Sequence, residues 1–380
     1  MLKAISVKNI NIHIYPSTMT NESRIFKEAA FIAHHLDFES VVLMGLWKKG
    51  LSKEECLEAK IHIKRIVLFG IQKRAVLYAY LFVYSLLFIV VHRPKMINIH
   101  TVEFLPLAFV AKCFGLKVIY DTHELETQKA NAKGLRQKLS MVIESVFIRY
   151  ADVVIVVGEM IADVYKKMYP KRQRPYVVLN TPPYCEVVKR NIFRELFGIS
   201  QEHIIFLYQG GLGKGRGVEM ILEAFQGLQD TPYVVVFMGS GLLETSIIEA
   251  SKRYKNIFFH HAVEPKVLLD YTSSADFGLL LYENTCLNHA YCCPNKLFEY
   301  MMAELPVMVS PLPEISALVT RHQIGMVLEE ESVEGLKKAI DTIASWDKQV
   351  LIHPLKRVKM AYNWEAQEEI LRKIYQEENP

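Results

Sequence analysis

The chain has 380 residues, 51% of them apolar and 23% charged, with a net charge of +4. That length exceeds one ordinary hydrophobic core and fits two domains of usual size. Its six cysteines (Cys56, Cys113, Cys185, Cys286, Cys292 and Cys293) have no framework spacing and no signal peptide opens the chain, which excludes a disulfide scaffold and predicts reduced thiols in a cytoplasmic protein.

The first helical stretch, MTNESRIFKEAAFIAHH, carries Arg24 and Glu28 at the spacing of an i,i+4 ion pair. Apolar runs rich in Val and Ile alternate with helical segments through the first half: KAISV, SVVLMG, MINIH, KVIYD, DVVIVV and YVVLN. After Pro182-Pro183 the rhythm restarts with HIIFLYQG, YVVVFMG, NIFFHHAV, DFGLLLY and PVMVS. Such alternation predicts parallel sheets covered on both faces. Two series of it predict an α/β protein of two doubly wound domains, residues 1–183 and 184–363. Ligands of these sheets sit beyond the carboxyl ends of the strands, so the loops there carry the candidate sites.

Charge divides along the same line. Up to Pro183 there are 26 Lys and Arg against 15 Asp and Glu, a surplus of +11; the remainder has 19 against 26, a deficit of −7. A basic half predicts an anionic partner. No basic motif interleaved with aromatics is present, so nucleic acid is not expected and a membrane surface fits better. Residues 75–91, AVLYAYLFVYSLLFIVV, bear on this: they contain no charge and are flanked by Lys73, Arg74, His92 and Arg93. As a helix they would span roughly 25 Å, slightly short of a bilayer core. A buried helix of the first domain is the plainer reading, and an interfacial helix with tyrosines and basic flanks is the next.

Three loops carry chemistry. YDTHELETQK, residues 120–129, places Asp121, His123 and Glu124 at the carboxyl end of the strand KVIY. A histidine there can act on a hydroxyl or stabilise charge, though such a residue is more often a structural hydrogen-bonder. YQGGLGKGRGVEMILEAF, residues 208–225, puts five glycines in eight positions ahead of a helix. Reading Gly210–Gly217 as the loop, the glycines let backbone amides approach an anion at a helix N-terminus, and Lys214 and Arg216 add charge for a phosphate or pyrophosphate. No GK[ST] follows, and Arg216 stands where G-x-G-x-x-G needs its third glycine, so neither a Walker A loop nor a dehydrogenase fingerprint is present; a tight turn with solvated cations is the alternative. In CCPNKLFEYMMAELPVMVS, residues 292–310, Pro294 opens a helix whose first turn holds Asn295 and Lys296 and whose Glu299 is placed to accept two ribose hydroxyls, or to serve as a favourable acid near the helix start. CLNHAYCC mimics metal-ligand spacing, but adjacent cysteines rarely reach one ion, and thiol packing is the plainer reading.

Together these stretches resemble glycosyltransferase family 4, the large retaining family on the GT-B fold, over nearly the whole chain. R-x-x-x-E-A from Arg24 resembles the family's first helix, YDTHEL its loop with an active-site histidine, and VVLNTPP its interdomain approach. GGLGKGRGVEMILEAF and PNKLFEYMMAELPVMVS are the most specific matches, and YNWEAQEEILRKIY resembles the C-terminal helix (about 364–380) that crosses back to the first domain. The resemblance implies two Rossmann-like domains facing across a cleft, an acceptor bound by the first and a nucleotide-sugar by the second. It implies His123 and Arg216 as catalytic residues, and Gly210, Gly211, Lys214, Arg216, Asn295, Lys296, Leu297 and Glu299 around the donor. Asp121 and Glu124 would lie on the acceptor side. It implies no metal ion and no other cofactor, a glycan or lipid-linked acceptor, and a place on the inner face of the cell membrane. Two positions depart from the family's pattern. Tyr291 stands where the first glutamate of E-x7-E belongs, and Gly211 where many members carry an arginine, so that Lys214 or Lys296 is left to supply the missing charge.

Overall fold

The computed structural model describes residues 9–67, 73–129 and 134–376; the run KAISV lies outside them. The chain divides into two units, Met1–Val178 and Leu179–Pro380.

The first unit runs β1 (Ile10–Ile14), α1 (Ser23–His35), β2 (Ser40–Leu46), β3 (Glu54–Glu58), β4 (Ile61–Ile66), α2 (Arg74–His92), β5 (Met96–Ile99), α3 (Leu107–Cys113), β6 (Lys117–Asp121), α4 (Gly134–Phe147), β7 (Val153–Val156), α5 (Glu159–Met168) and β8 (Tyr176–Val177). Its sheet has the order β3-β4-β2-β1-β5-β6-β7-β8. The expectation of purely parallel sheets fails at one edge, where β3 pairs antiparallel with β4. The segment EECLE is exposed along its length, so it protects the sheet edge with charge rather than entering the core. Right-handed crossovers place α2 to α5 on one face and α1 on the other. The winding therefore reverses between β1 and β5, and ligands of open α/β sheets gather at such a point.

Residues 75–91 do form a helix, but it is not the buried one that is the plainer reading of the sequence. Helix α2 buries Leu81, Ser85, Phe88, Ile89 and His92. Its other face exposes Val76, Tyr80, Val83, Leu87 and Val90, a 4-3-4-3 stripe of which Leu87 is 50% exposed. By length and composition α2 is also apolar enough to cross a membrane. Helix α4, on the same face of the sheet, repeats the pattern with exposed Leu135, Leu139, Val142 and Val146. It is fastened underneath by Glu144, which accepts hydrogen bonds from the hydroxyls of Tyr120 (2.8 Å), Tyr165 (2.7 Å) and Tyr169 (2.9 Å).

The second unit runs α6 (Ile192–Phe197), β9 (Ile204–Gly211), α7 (Val218–Gln226), β10 (Tyr233–Ser240), α8 (Glu244–Arg253), β11 (Ile257–His261), α9 (Leu268–Thr272), β12 (Phe277–Leu280), α10 (Leu287–Ala290), α11 (Asn295–Met302), β13 (Val307–Val309), α12 (Pro313–His322), β14 (Gly325–Val327), α13 (Val333–Ala344), α14 (Gln349–Ala361) and α15 (Trp364–Gln376). Its strands, all parallel, have the order β11-β10-β9-β12-β13-β14. Successive strand residues feed opposite cores: Ile205 and Leu207 join Leu297 and Met301 of α11, while Phe206 joins Ile221 and Phe225 of α7. The winding reverses between β9 and β12. The two series meet where β8 ends, five residues before the expected boundary. Helix α15 lies in the second unit, and it is tied to the residues after β8: Leu179 N–H donates to Gln367 (2.9 Å) and Trp364 N–H to the Pro182 carbonyl (2.9 Å).

Candidate active site

In the first unit the polar groups gather at the switch point. Asp121, last residue of β6, is fully buried and receives Arg24 in two bonds, Nε to Oδ2 at 2.9 Å and Nη2 to Oδ1 at 2.6 Å. Arg24 also donates to the Val178 carbonyl (2.6 Å) and pairs with Glu28 at 3.2 Å. The expected i,i+4 pair thus exists, as one edge of a buried cluster. Asp121, expected on the acceptor side, has its carboxylate enclosed and already bonded. Glu124 is exposed.

Three histidines line up beside that carboxylate. His123 Nε2 lies 3.0 Å from His100 Nδ1, which is 3.1 Å from Asp121 Oδ2, and His100 Nε2 lies 2.9 Å from His13 Nδ1. Burial pushes His13 well below the ordinary histidine range and His100 down to about 4, so both rings are neutral at pH 7. Burial also raises the Asp121 carboxyl, but Arg24 and the hydrogen bonds from His100 and His123 outweigh it and hold the group well below the usual range. Glu28 is pushed well above the ordinary carboxyl range by burial and by the neighbouring Asp121 charge, with Arg24 pulling the other way. A neutral His100 whose Nδ1–H points at Asp121 must accept at Nε2 from His13, which fixes one tautomer for the pair. His123 caps this column and keeps 21% of its side chain exposed, with the Tyr15 ring 5.2 Å away. Neither His13 nor His100 was singled out in the sequence; each is a polar residue inside or ending an apolar strand run, INIHI and MINIH, and that is the signal that could have found them.

In the second unit the glycine loop and the α11 segment meet at the other switch point. Strand β9 extends two residues further than expected, because Gly210 and Gly211 still pair with Gly239 and Ser240 of β10. The loop proper begins at Leu212. Gly217 has φ +72°, and a Cβ there would lie 2.1 Å from the Leu281 carbonyl oxygen, so only glycine lets this loop pass the end of β12. Glu283 N–H donates to the Gly215 carbonyl (3.1 Å) and ties the two loops together. At Gly211 a Cβ would come 2.9 Å from Arg216 Nη1. The space above residue 211 is thus filled by the Arg216 guanidinium, which also lies 5.6 Å from the Tyr282 ring.

Lys296 is buried in the first turn of α11, its Nζ 4.0 Å from the Tyr208 ring centre and 5.0 Å from that of Tyr282. Among the described residues no hydrogen-bond partner reaches this nitrogen. Burial, with the Arg216 charge, lowers the amine to about 7. Lys214 is solvent-exposed, so of the two lysines it is Lys296 that stands with Arg216. Glu299 accepts a hydrogen bond from the Gln209 amide, whose oxygen in turn accepts from the Thr272 hydroxyl at 2.8 Å. Gln209, absent from the sequence reading, orients the ribose candidate from inside β9. Asn295 is exposed at the helix start. Leu297 is corrected: its side chain is fully buried among Leu280, Met301 and Leu351, and its N–H is spent on the Pro294 carbonyl. The Cys292 and Cys293 thiols are pushed up by burial, Cys292 to about 12. Among the described residues, ligand-type side chains near enough to share an ion occur in the first unit, as His13, Glu28 and His100, and as His100, Asp121 and His123.

Two wound α/β units with polar groups at both reversal points define the GT-B fold. Sucrose-phosphate synthase from Thermosynechococcus elongatus matches with TM-score 0.76 and 14% identity, covering 97% of this chain and 98% of that one. HepE from Anabaena in complex with UDP-glucose matches with TM-score 0.72 and 11% identity over 97% and 99%. WaaG, a glycosyltransferase involved in lipopolysaccharide biosynthesis, matches with TM-score 0.68 and 14% identity over 97% and 99%. Residues 203–345, inside the second unit, match the family described as glycosyl transferases group 1. TuaH of Bacillus subtilis (strain 168), assigned to teichuronic acid biosynthesis as a glycosyltransferase, is 26% identical over 241 residues, 61% of this chain and 58% of TuaH. TuaC of the same strain, with the same assignment, is 24% identical over 147 residues, 39% of this chain and 34% of TuaC. The chain thus matches little more than half of one relative and a third of the other.

Proposed function

We propose that the protein is a retaining glycosyltransferase that takes a sugar from a nucleotide-sugar and transfers it to a glycan or lipid-linked acceptor at a membrane surface. The observation that carries this is Lys296: a buried amine without a hydrogen-bond partner among the described residues, beside Arg216 and one helical turn from Glu299. An orphaned buried amine costs stability, and a diphosphate is the ligand that would give it a partner. Arg216 and Lys296 would neutralise the diphosphate as it leaves, the electrostatic contribution that dominates such transfers, while Glu299, held by Gln209, takes the ribose hydroxyls. With two cations in place the reading calls for no metal ion or other cofactor. His123 is assigned to turnover. The relatives' assignment to teichuronic acid biosynthesis supports a surface polysaccharide as product.

The membrane part of the reading rests on the apolar stripes of α2 and α4, with Lys73, Arg74, Arg93 and Lys138 exposed around them, and puts the protein on the inner face of the cell membrane. A nucleotide-binding scaffold without transfer is the second reading, favoured by Tyr291 in place of the family's first glutamate.

A thermal-shift screen against UDP, GDP, CDP, dTDP and their common sugar conjugates tests the donor site, since a ligand at a hundred times its Kd stabilises by about 2.7 kcal/mol. A shift with one nucleotide family is expected. No shift with any would defeat the donor assignment, and a shift without turnover on any acceptor would select the scaffold.

A further inference from the structure

Strands β5 and β6 end side by side at the switch point of the first unit. Their register pairs Ile99 with Tyr120, so the next residues, His100 and Asp121, are neighbours, and His123 returns to them two residues later. Three atoms converge there. His100 Nδ1 and Asp121 Oδ2 are 3.1 Å apart, His100 Nδ1 and His123 Nε2 are 3.0 Å apart, and His123 Nε2 and Asp121 Oδ2 are 3.4 Å apart.

Charge is balanced at this point, but hydrogen bonding is not. A neutral imidazole offers one N–H and one lone pair. If both rings donate to Asp121, two N–H groups face each other across the 3.0 Å edge. If only one donates, the lone pair of the other faces the carboxylate oxygen. Every arrangement of protons leaves one edge of the triangle mismatched, whereas a cation between the three atoms uses a lone pair from each. The edges have the right length for it: ligands about 2.1 Å from an ion stand roughly 3.4 Å apart in a tetrahedron and roughly 3.0 Å apart on one face of an octahedron. Two imidazoles and one carboxylate suit a transition metal, since magnesium and calcium prefer oxygen ligands alone.

The surroundings support the same reading. His100 is already neutral, the state a metal ion requires. Its other nitrogen, Nε2, lies 2.9 Å from His13 Nδ1, the kind of outer partner that orients a ligating imidazole. Metal at His100 Nδ1 needs the ring proton on Nε2, so the bond to His13 reverses and His13 carries its own proton on Nε2. That nitrogen is buried and has no hydrogen-bond partner among the described residues, so the place is open. His123 keeps 21% of its side chain exposed, which gives an ion its way in and leaves a coordination position toward solvent.

We propose that His100, Asp121 and His123 bind a zinc-type divalent ion, and that its occupation switches transfer off by taking the His123 nitrogen. Binding stands on the triangle alone; the switching rests on the assignment of His123 to turnover. The ion has no part in the transfer itself. Arg24 holds the same carboxylate through both oxygens, so Asp121 lends the ion only part of its charge. Occupation is therefore reversible, as a switch needs, and weaker than at a closed structural site.

The test uses the full chain, stripped with a chelator, and Zn²⁺ or Co²⁺ alone as probe. Isothermal titration should find one zinc ion per chain with a Kd of about 1–100 μM, and Co²⁺ should develop visible d–d absorption. His123→Ala should weaken zinc by about a hundredfold. His123→Cys should keep the affinity and add a near-ultraviolet thiolate-to-cobalt band that the parent lacks, which places residue 123 on the ion. Melting curves confirm that both variants fold. No zinc bound at about 1 mM, His123→Ala binding like the parent, or His123→Cys without the new band would each overturn the site. Zinc at its binding concentration should cut turnover at least tenfold and EDTA should restore it; zinc bound at the triad with turnover unchanged overturns the switching. The nucleotide thermal shift is measured on the same samples. A shift without zinc binding defeats the metal site alone, and zinc binding without a shift defeats the donor reading alone.

Discussion

Replacing Lys296 with methionine removes a proton from the nucleotide-binding equilibrium. The groups facing this amine are Arg216 from the glycine loop, Glu299 on its own helix, Cys292 ahead of that helix, and the rings of Tyr208 and Tyr282. Burial and the Arg216 charge outweigh the pull of Glu299 and set the free amine at about 7. One pH unit above that midpoint, at pH 8, roughly a tenth of the molecules carry the charge. A diphosphate, fully ionised there, returns the amine toward its ordinary value near 10, so binding takes up about 0.9 proton. The pKa is raised on binding, so the contribution to affinity is complete below pH 7 and is lost as pH rises toward the bound value. Between pH 7 and pH 9 the dissociation constant rises by about fiftyfold. Isothermal titration of the nucleotide at pH 8, in buffers of different ionisation heat, reads the proton directly. In Lys296→Met the uptake should vanish, and the variant should melt no lower than the parent at pH 6, where the parent must bury an ammonium. Uptake under about 0.2 proton in the parent, or equal uptake in the variant, would refute the reasoning.

Arg216→Ala should raise the dissociation constant for nucleoside diphosphates by about 10- to 100-fold, the worth of one charge-assisted hydrogen bond; titration calorimetry checks it. Gln209→Leu frees the Glu299 carboxylate from its holder, so UDP or its counterpart should bind several-fold more weakly while inorganic pyrophosphate binds as before. His123→Ala should cut turnover by about 10²- to 10⁴-fold with nucleotide affinity unchanged, and a variant with full turnover would remove the residue from the mechanism. Glu144→Ala strands three tyrosine hydroxyls under α4 and should cost about 3 kcal/mol, read as a fall in Tm of several degrees.

The parallel strands of the second unit were legible because each is an apolar run in a sheet buried on both faces, and so was the place of the glycine loop and of the start of α11, because both follow from where those strands end. The antiparallel edge was not, since EECLE and IHIKRI form a hairpin whose outer strand has no apolar residue facing a core. Leu297 shows the limit of motif transfer: it sits inside a binding motif yet its side chain belongs to the core, because one residue on a helix turns it about 100° away from Lys296. His13, His100 and Gln209 are hidden for a related reason. Each is a polar residue within or just past an apolar strand run, and only the register of neighbouring strands tells whether such a residue meets a partner. Residues 75–91 have the composition of a core helix, and what leaves one face bare is that no further layer covers α2 among the described residues.

The two switch points differ in a way that bears on their roles. Around Asp121 the charges are matched in the free protein: Arg24 fills both carboxylate oxygens, Glu28 is pushed up by burial, and the histidines fix one another's tautomers. Such a cluster resists reorganisation, so what it offers is a constant position for His123 at its surface end. Around Lys296 the matching is incomplete: an amine without a hydrogen-bond partner beside a guanidinium, with one carboxylate nearby drawn instead toward Gln209. That arrangement costs stability in the free state and regains it when an anion with two negative groups arrives. A preorganised group belongs where a reacting atom must be met at a fixed place, and an unsatisfied cation belongs where binding must be strong only for a ligand of opposite charge. On this argument, neutralising Lys296 should release stability and lose nucleotide, while breaking the Asp121 cluster should lose both stability and turnover. Measuring melting temperature and nucleotide affinity side by side for Lys296→Met and Asp121→Asn separates the two, and equal behaviour of the variants would mean that neither site has the character assigned to it.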